Sequence, residues 1–311
     1  MRRKEPDKLG TDPFLIGLWV GYSLTPNTWQ ISKKVVEKLS RGEKADSGSP
    51  AQLNFCPWCG TDIKCDRNQN DYYVDDRRTK WTLIHCPNTG CDFYHRDRAD
   101  VTRALPVVTV DDDIYTRCPS LLIATVDKFA RLTWNPKTAS LFGIVNRKCP
   151  RCGFLNHSSK HNERYHNSAS REVVENIGRL RGPDLIIQDE LHLITGPLGT
   201  MVGLYETAVN YLSSLSNDGI GPKIVVSTAT IRGVEDQVKK LYNRKLLETF
   251  PPPAINYGDS FFWWDSEDPG RRYVGISYSH RSMKFALGRL YSSLLQRVYE
   301  IRGTIEDHKV D

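Results

Sequence analysis

No stretch of this 311-residue chain approaches the ~18–20 apolar residues that a membrane-spanning helix needs, so no membrane partner is expected. The opening M-R-R-K-E-P-D-K has no apolar segment behind its basic residues, which argues against a secretory signal. Charge of one sign is scarcely in excess. Lys and Arg number 43 against 37 Asp and Glu, a net charge of +6 that suits a polyanionic partner without demanding one. No solenoid-type repeat occurs. No G-x-x-x-x-G-K-[ST] occurs either, so the loop that cradles nucleotide phosphates is missing. The chain is expected to be soluble and cytoplasmic. Thiols stay reduced there, so its eight cysteines point to metal rather than to disulfides.

What is present alternates between strand and helix patterns. Apolar runs bounded by turn signals predict strands at 14–20, 121–124, 184–188 and 223–227, with a further one at 273–276. Helical patterns fall at 28–39, 125–132, 199–215, 233–242 and 285–301. Residues 40–50 and 146–170 are polar. Between Phe55 and His95 the chain is rich in Cys, Asp and aromatics and reads as a small insertion stapled by metal. Strands alternating with helices imply a mostly parallel sheet covered on both faces, with ligands at the strands' carboxyl ends.

One such end is P-D-L-I-I-Q-D-E-L-H-L-I, residues 183–194, where an apolar run stops at Asp189 and Glu190. Two adjacent acids are costly to bury without a cation. An Asp at a strand tip can hold Mg²⁺, and a neighbouring Glu can orient and deprotonate an attacking water. The pattern also suits a strand that ends in solvent with hydrated acids. A second strand, K-I-V-V, runs into S-T-A-T at 227–230, whose small hydroxyls can bond the acids or can simply cap a helix. A metal-dependent nuclease would need more convergent acids than are evident. A zinc protease would need two histidines one helical turn apart, which D-E-L-H does not offer.

Taken together, these segments resemble superfamily 2 helicases. D-E-L-H is similar to their motif II, S-T-A-T to motif III, and S-L-L-I-A-T-V-D-K-F-A (120–130) to motif Ib. The string from Pro183 to Glu206, with the C-P-W-C-G insertion, resembles the helicase of bacterial DISARM anti-phage systems. The resemblance implies an α/β fold with a partial RecA-like P-loop NTPase-type parallel sheet, an inserted zinc ribbon and the start of a second RecA-like domain. Residues 1–50 and 101–250 would form the first domain and 51–100 the ribbon. A Cys/His-rich insertion would occupy 146–170, and a linker and second-domain start 251–311. ATP and Mg²⁺ would be the cofactors, with Asp189 on the magnesium and Glu190 as base. His192, Ser227, Thr228 and Thr230 would couple hydrolysis to strand movement, and Thr125 and Lys128 would lie beside a phosphate of bound nucleic acid, DNA being expected. Other helicase segments or defence subunits would be the partners. The phosphate loop and the Q-x-x-R-x-G-R arginine motif of the family are absent, so the chain reads as an internal fragment, inactive alone. The alternative is a zinc-ribbon module that binds nucleic acid or assembles partners without catalysis.

The cysteines carry their own argument. Cys56-x₂-Cys59 and Cys86-x₄-Cys91 can offer four thiolates to one tetrahedral Zn²⁺, with Cys65, His85 or His95 as substitutes. Cys149-x₂-Cys152 repeats the C-P-x-C-G knuckle, and His157, His161 or His166 can complete a second zinc site, His157 and His161 being four apart. Cys118 reads as a small buried hydrophobe. Arg77, Arg78, Lys80 and Trp81, between the first knuckles, suit either a single strand or a solvated rim. Phe261-Phe262-Trp263-Trp264 reads as packing or as a base platform.

Overall fold

The computed structural model describes residues 5–9, 12–129, 132, 134–157, 159, 161, 174–194, 196–229, 233–252, 255, 261–262, 270–277 and 282–307. A short helix, Pro6–Leu9 (α1), precedes a strand, Ile16–Trp19 (β1). The helix Trp29–Ser40 (α2) starts where sequence places it, because the Thr28 hydroxyl accepts the Ile31 amide at 3.4 Å. The Cys-rich region contributes a hairpin, Tyr72–Val74 (β2) with Thr82–Ile84 (β3).

Val107–Val108 (β4), the helix Asp111–Arg117 (α3), Leu121–Ala124 (β5) and a single turn, Val126–Phe129 (α4), follow. Strands β4 and β5 flank β1, and both run parallel to it. Trp19 ends β1 fully buried, where its indole N–H donates to the Tyr115 hydroxyl at 3.1 Å on α3. Leu15, Val108 and Ile114 complete this core.

A second small sheet is antiparallel: Arg147–Cys149 (β6), Gly153–Leu155 (β7) and Glu175–Asn176 (β8), in the order β7-β6-β8. Leu185–Gln188 (β9), the helix Gly196–Ser214 (α5), Lys223–Val226 (β10) and the helix Val234–Tyr242 (α6) form the next layer. β9 and β10 pair in parallel, Ile187 opposite Val225 and Gln188 opposite Val226. Their inner face, with Ile224 and Val226, packs on Leu191, Ile194, Val202, Val238 and Tyr242.

The expectation of parallel strands covered on both faces needs correction among the described residues. The register puts Ile16 beside Leu121 and Leu18 beside Ile123, and Ile16, Leu121 and Ile123 are exposed. Leu185, Ile187 and Val225 are likewise exposed on the outer face of β9–β10. Side chains alternate across a strand, so helices on one side cover only every second residue. No helix of the described residues is long and apolar enough to cross a membrane.

The chain divides into two units, Met1–Leu247 and Glu248–Asp311. The second contains the helix Met283–Asp307 (α7) and a small aromatic group in which Phe262 lies 4.7 Å from Phe250 and 5.1 Å from Phe261. Residues 273–276, expected as a strand, run without ladder pairing among the described residues. Trp263 and Trp264 lie outside the described residues.

Candidate functional site

The first knuckle is a tight turn. The Gly60 amide donates back to the Cys56 carbonyl at 2.9 Å, and Gly60 takes a left-handed φ of +75° that suits glycine. On the facing segment, the Cys86 amide donates to Phe93 and the Cys91 amide to Asn88. These bonds bring Cys56, Cys59, Cys86 and Cys91 together, all four sulfurs within 4.8 Å of one another. Cys56 and Cys91 Sγ are 3.9 Å apart, and Cys59 and Cys86 Sγ 3.5 Å. Thiolates about 2.3 Å from a tetrahedral zinc ion stand about 3.8 Å apart, so this donor set fits Zn²⁺.

Burial pushes the Cys86 and Cys91 thiols up. Cys59 is drawn down to about 6 by hydrogen bonds from the Thr61 hydroxyl and amide. A bound cation favours the thiolate form at all four. The substitutes lie elsewhere: Cys65 is half-buried with its thiol pushed up to about 11, and His85 Nε2 lies 3.0 Å from the Arg98 carbonyl.

The loop between the first knuckles is braced inward. Asp75, buried, accepts the amides of Arg77, Arg78 and Thr79 at 3.2, 3.0 and 3.0 Å. Trp81 donates to Thr116 on α3 at 3.2 Å and lies under the Arg117 guanidinium at 4.9 Å. Its ring is thus committed to packing rather than presented as a platform for bases.

At the second knuckle, Cys149, Cys152 and His161 place their donor atoms within 4.8 Å of one another. Burial pushes the Cys152 thiol up to about 12. His157 is not in this group. It is exposed, with Nδ1 3.4 Å from the Asn146 amide nitrogen. His166 lies outside the described residues.

The acid pair sits at the tip of β9. Glu190 adopts a left-handed φ of +52°, which turns the chain so that the Leu191 amide donates to the Ser227 carbonyl at 3.0 Å. The Ser227 amide in turn donates to Gln188 at 2.9 Å. The two strand tips are thereby tied. The Ser227 hydroxyl donates to the Asp189 carboxylate, which also accepts the Glu190 amide at 3.0 Å. Those bonds, the hydroxyl's first, hold the Asp189 pKa below the usual carboxylate value. His192 Nδ1 lies 3.2 Å from a Glu190 carboxylate oxygen. Both acids are exposed, and Thr228, next to Ser227 in sequence, is half-buried. Thr230 lies outside the described residues.

Thr125 and Lys128 fare differently from each other. Thr125 is exposed, its amide bonded to the Trp19 carbonyl at 3.3 Å. Lys128, expected beside a phosphate, is instead buried, its ammonium 2.6 Å from Asp111 and 3.1 Å from Asn27 Oδ1. An ammonium committed to a buried carboxylate is not available at the surface, so Lys128 is better described as an internal tie between α4 and α3.

No family model matches this sequence. Over 312 residues it is 39% identical to the DISARM protein DrmA of Bacillus paralicheniformis (strain ATCC 9945a / NCIMB 11709 / CD-2). The chain is similar to one segment of DrmA. The aligned region takes in 94% of this chain and 26% of the DrmA chain, so the cysteine modules and the acid pair alike fall within a DrmA-like stretch spanning about a quarter of that relative.

Proposed function

We propose that this chain forms part of an ATP-dependent nucleic-acid motor of bacterial anti-phage defence. In this reading residues 1–50 and 101–250 belong to a RecA-like domain, 51–100 are a zinc ribbon inserted in it, and 251–311 lead into a second RecA-like domain. The reading draws on the likeness to a DISARM protein and on one observation above the rest: Ser227, at the tip of β10, donates to Asp189 at the tip of β9. An ionised carboxylate at a strand end, oriented by a small hydroxyl, is a donor set that fits Mg²⁺.

Mg-ATP, when bound, supplies the phosphoanhydride to be cleaved. Asp189 would hold the magnesium and Ser227 would fix that carboxylate's orientation. Glu190 would accept a proton from the attacking water, with His192 against its carboxylate setting its direction. Thr228 and Thr230 would carry the change onward, and Thr125 would face the bound strand. The phosphate-cradling loop is not among these 311 residues, so turnover requires another segment or subunit to supply it.

The second reading, a zinc-bearing binding or assembly module without catalysis, is favoured by a specific contrast. The four-thiol cluster is assembled within this chain and the phosphate loop is not. One experiment separates them. The purified chain is expected to show no DNA-stimulated ATP hydrolysis by itself. Joined to the polypeptide that supplies the phosphate loop, it should hydrolyse ATP. Glu190→Gln should then lower turnover about 10²–10⁴-fold, as loss of a general base does. Turnover unchanged by Glu190→Gln, in a complex that still forms, would leave the assembly module standing and remove the motor role.

A further inference from the structure

The repeated knuckle is more than a sequence echo. Gly153 follows Cys152 with φ +79°, and Gly60 follows Cys59 with φ +75°. The same C-P-x-C-G segment therefore closes on the same left-handed residue in both places, and at the first it ends in a metal-shaped cluster. At the second, Cys149 closes β6 and is fully buried, Cys152 lies in the turn to β7, and His161 comes back from beyond β7 to meet them.

We propose that Cys149, Cys152 and His161 form a second zinc centre, with His157 outside it. Two thiolates and an imidazole form a borderline-soft donor set that suits Zn²⁺ over the oxygen-seeking Mg²⁺ and Ca²⁺. Three protein donors leave the fourth position of a tetrahedron to water or to a further donor. The site is held from behind. A Cβ added at Gly153 would fall 2.1 Å from the Thr116 carbonyl oxygen and 3.1 Å from the Trp81 ring, so the turn lies directly on α3 and on the loop between the first knuckles. The centre would thus clamp residue 161 onto a hairpin that already abuts α3. The proposal concerns this chain's own donors and does not depend on the motor reading.

Zinc content of the purified chain tests it, read as a difference between variants. His161→Ala is expected to lose about one equivalent relative to the wild-type chain, and His157→Ala to lose none. His161→Cys should keep the wild-type content, and in the Co²⁺-loaded chain should strengthen the thiolate charge-transfer band. The His161→Cys comparison preserves the test should His161→Ala fail to fold. Equal zinc in the wild type and a folded His161→Ala, or loss of an equivalent in His157→Ala alone, would overturn the assignment. The ribbon is read separately, since its loss would lower all of these chains together.

Discussion

At the residue scale, Ser227 and Asp189 lie 38 positions apart and meet because β9 and β10 end in register. The bond from Ser227 is the first cause of the depressed Asp189 pKa, so Ser227→Ala should raise that pKa toward the ordinary carboxylate value. A ¹³C-detected carboxyl titration of the two chains would show it. The sign for stability follows. A carboxylate held low in the folded state contributes stability that is present above its unfolded value and fades as pH falls through its folded value. Asp189 is fully exposed, so solvent keeps that contribution small and Ser227→Ala should leave the unfolding midpoint near neutral pH almost unmoved. An Asp189 titration indifferent to Ser227→Ala would mean that the hydroxyl does not orient the acid, and the proposed magnesium ligand would lose its support. The juxtaposition was legible in sequence, because two apolar runs each ending in polar groups place those groups at one edge of a parallel sheet. The left-handed turn at Glu190, which aims the acids, was not, since glutamate seldom adopts that conformation.

At the element scale, α4 shows why spacing alone misleads. T-V-D-K-F-A reads as a helix opening at a Thr cap with a surface lysine, yet Lys128 points inward to Asp111 at the start of α3. Both side chains are almost wholly buried, 2% and 3% exposed, so the pair is shielded from solvent screening. Nothing in local sequence marks it, because the partners lie 17 residues apart across β5. Removing one member of a buried pair costs about 3–5 kcal/mol, since the other charge loses its counter-ion while remaining buried. Lys128→Ala should therefore lower urea stability by that order. Lys128→Met with Asp111→Leu should recover most of the loss, because the paired charges leave together. A phosphate-contacting lysine would behave oppositely: Lys128→Ala would keep its stability and bind nucleic acid less tightly. The open outer faces of β1, β5 and β9 were equally hidden. An apolar run announces a strand but does not say how many of its faces this chain covers.

At the scale of the whole molecule, the cysteine-rich segment is less separate than its composition suggests. The core around Cys56, Cys86 and Cys91 also includes Val36 of α2, with Trp29 packed against it. The Ser32 and Thr82 hydroxyls meet at 2.7 Å, and the Leu105 amide donates to the Ile84 carbonyl at 2.7 Å. A metal that organises the four thiols therefore also fixes the wall on which α2 rests and the approach to β4. Structural zinc contributes folding free energy directly, so its removal should loosen everything that shares this core. Hydrogen exchange before and after chelation should show protection lost at β2, β3 and α2 together. The core formed by β9, β10, α5 and α6 shares none of these residues and should hold its protection. Loss confined to residues 51–100, with α2 unchanged, would show that α2 does not depend on this core. The cysteine-rich segment would then be an appended module rather than part of the frame around it. Simultaneous loss in both cores would make the metal a condition for folding of the whole first unit. Chelation would then abolish any nucleotide-dependent activity without the zinc ever touching the acid pair.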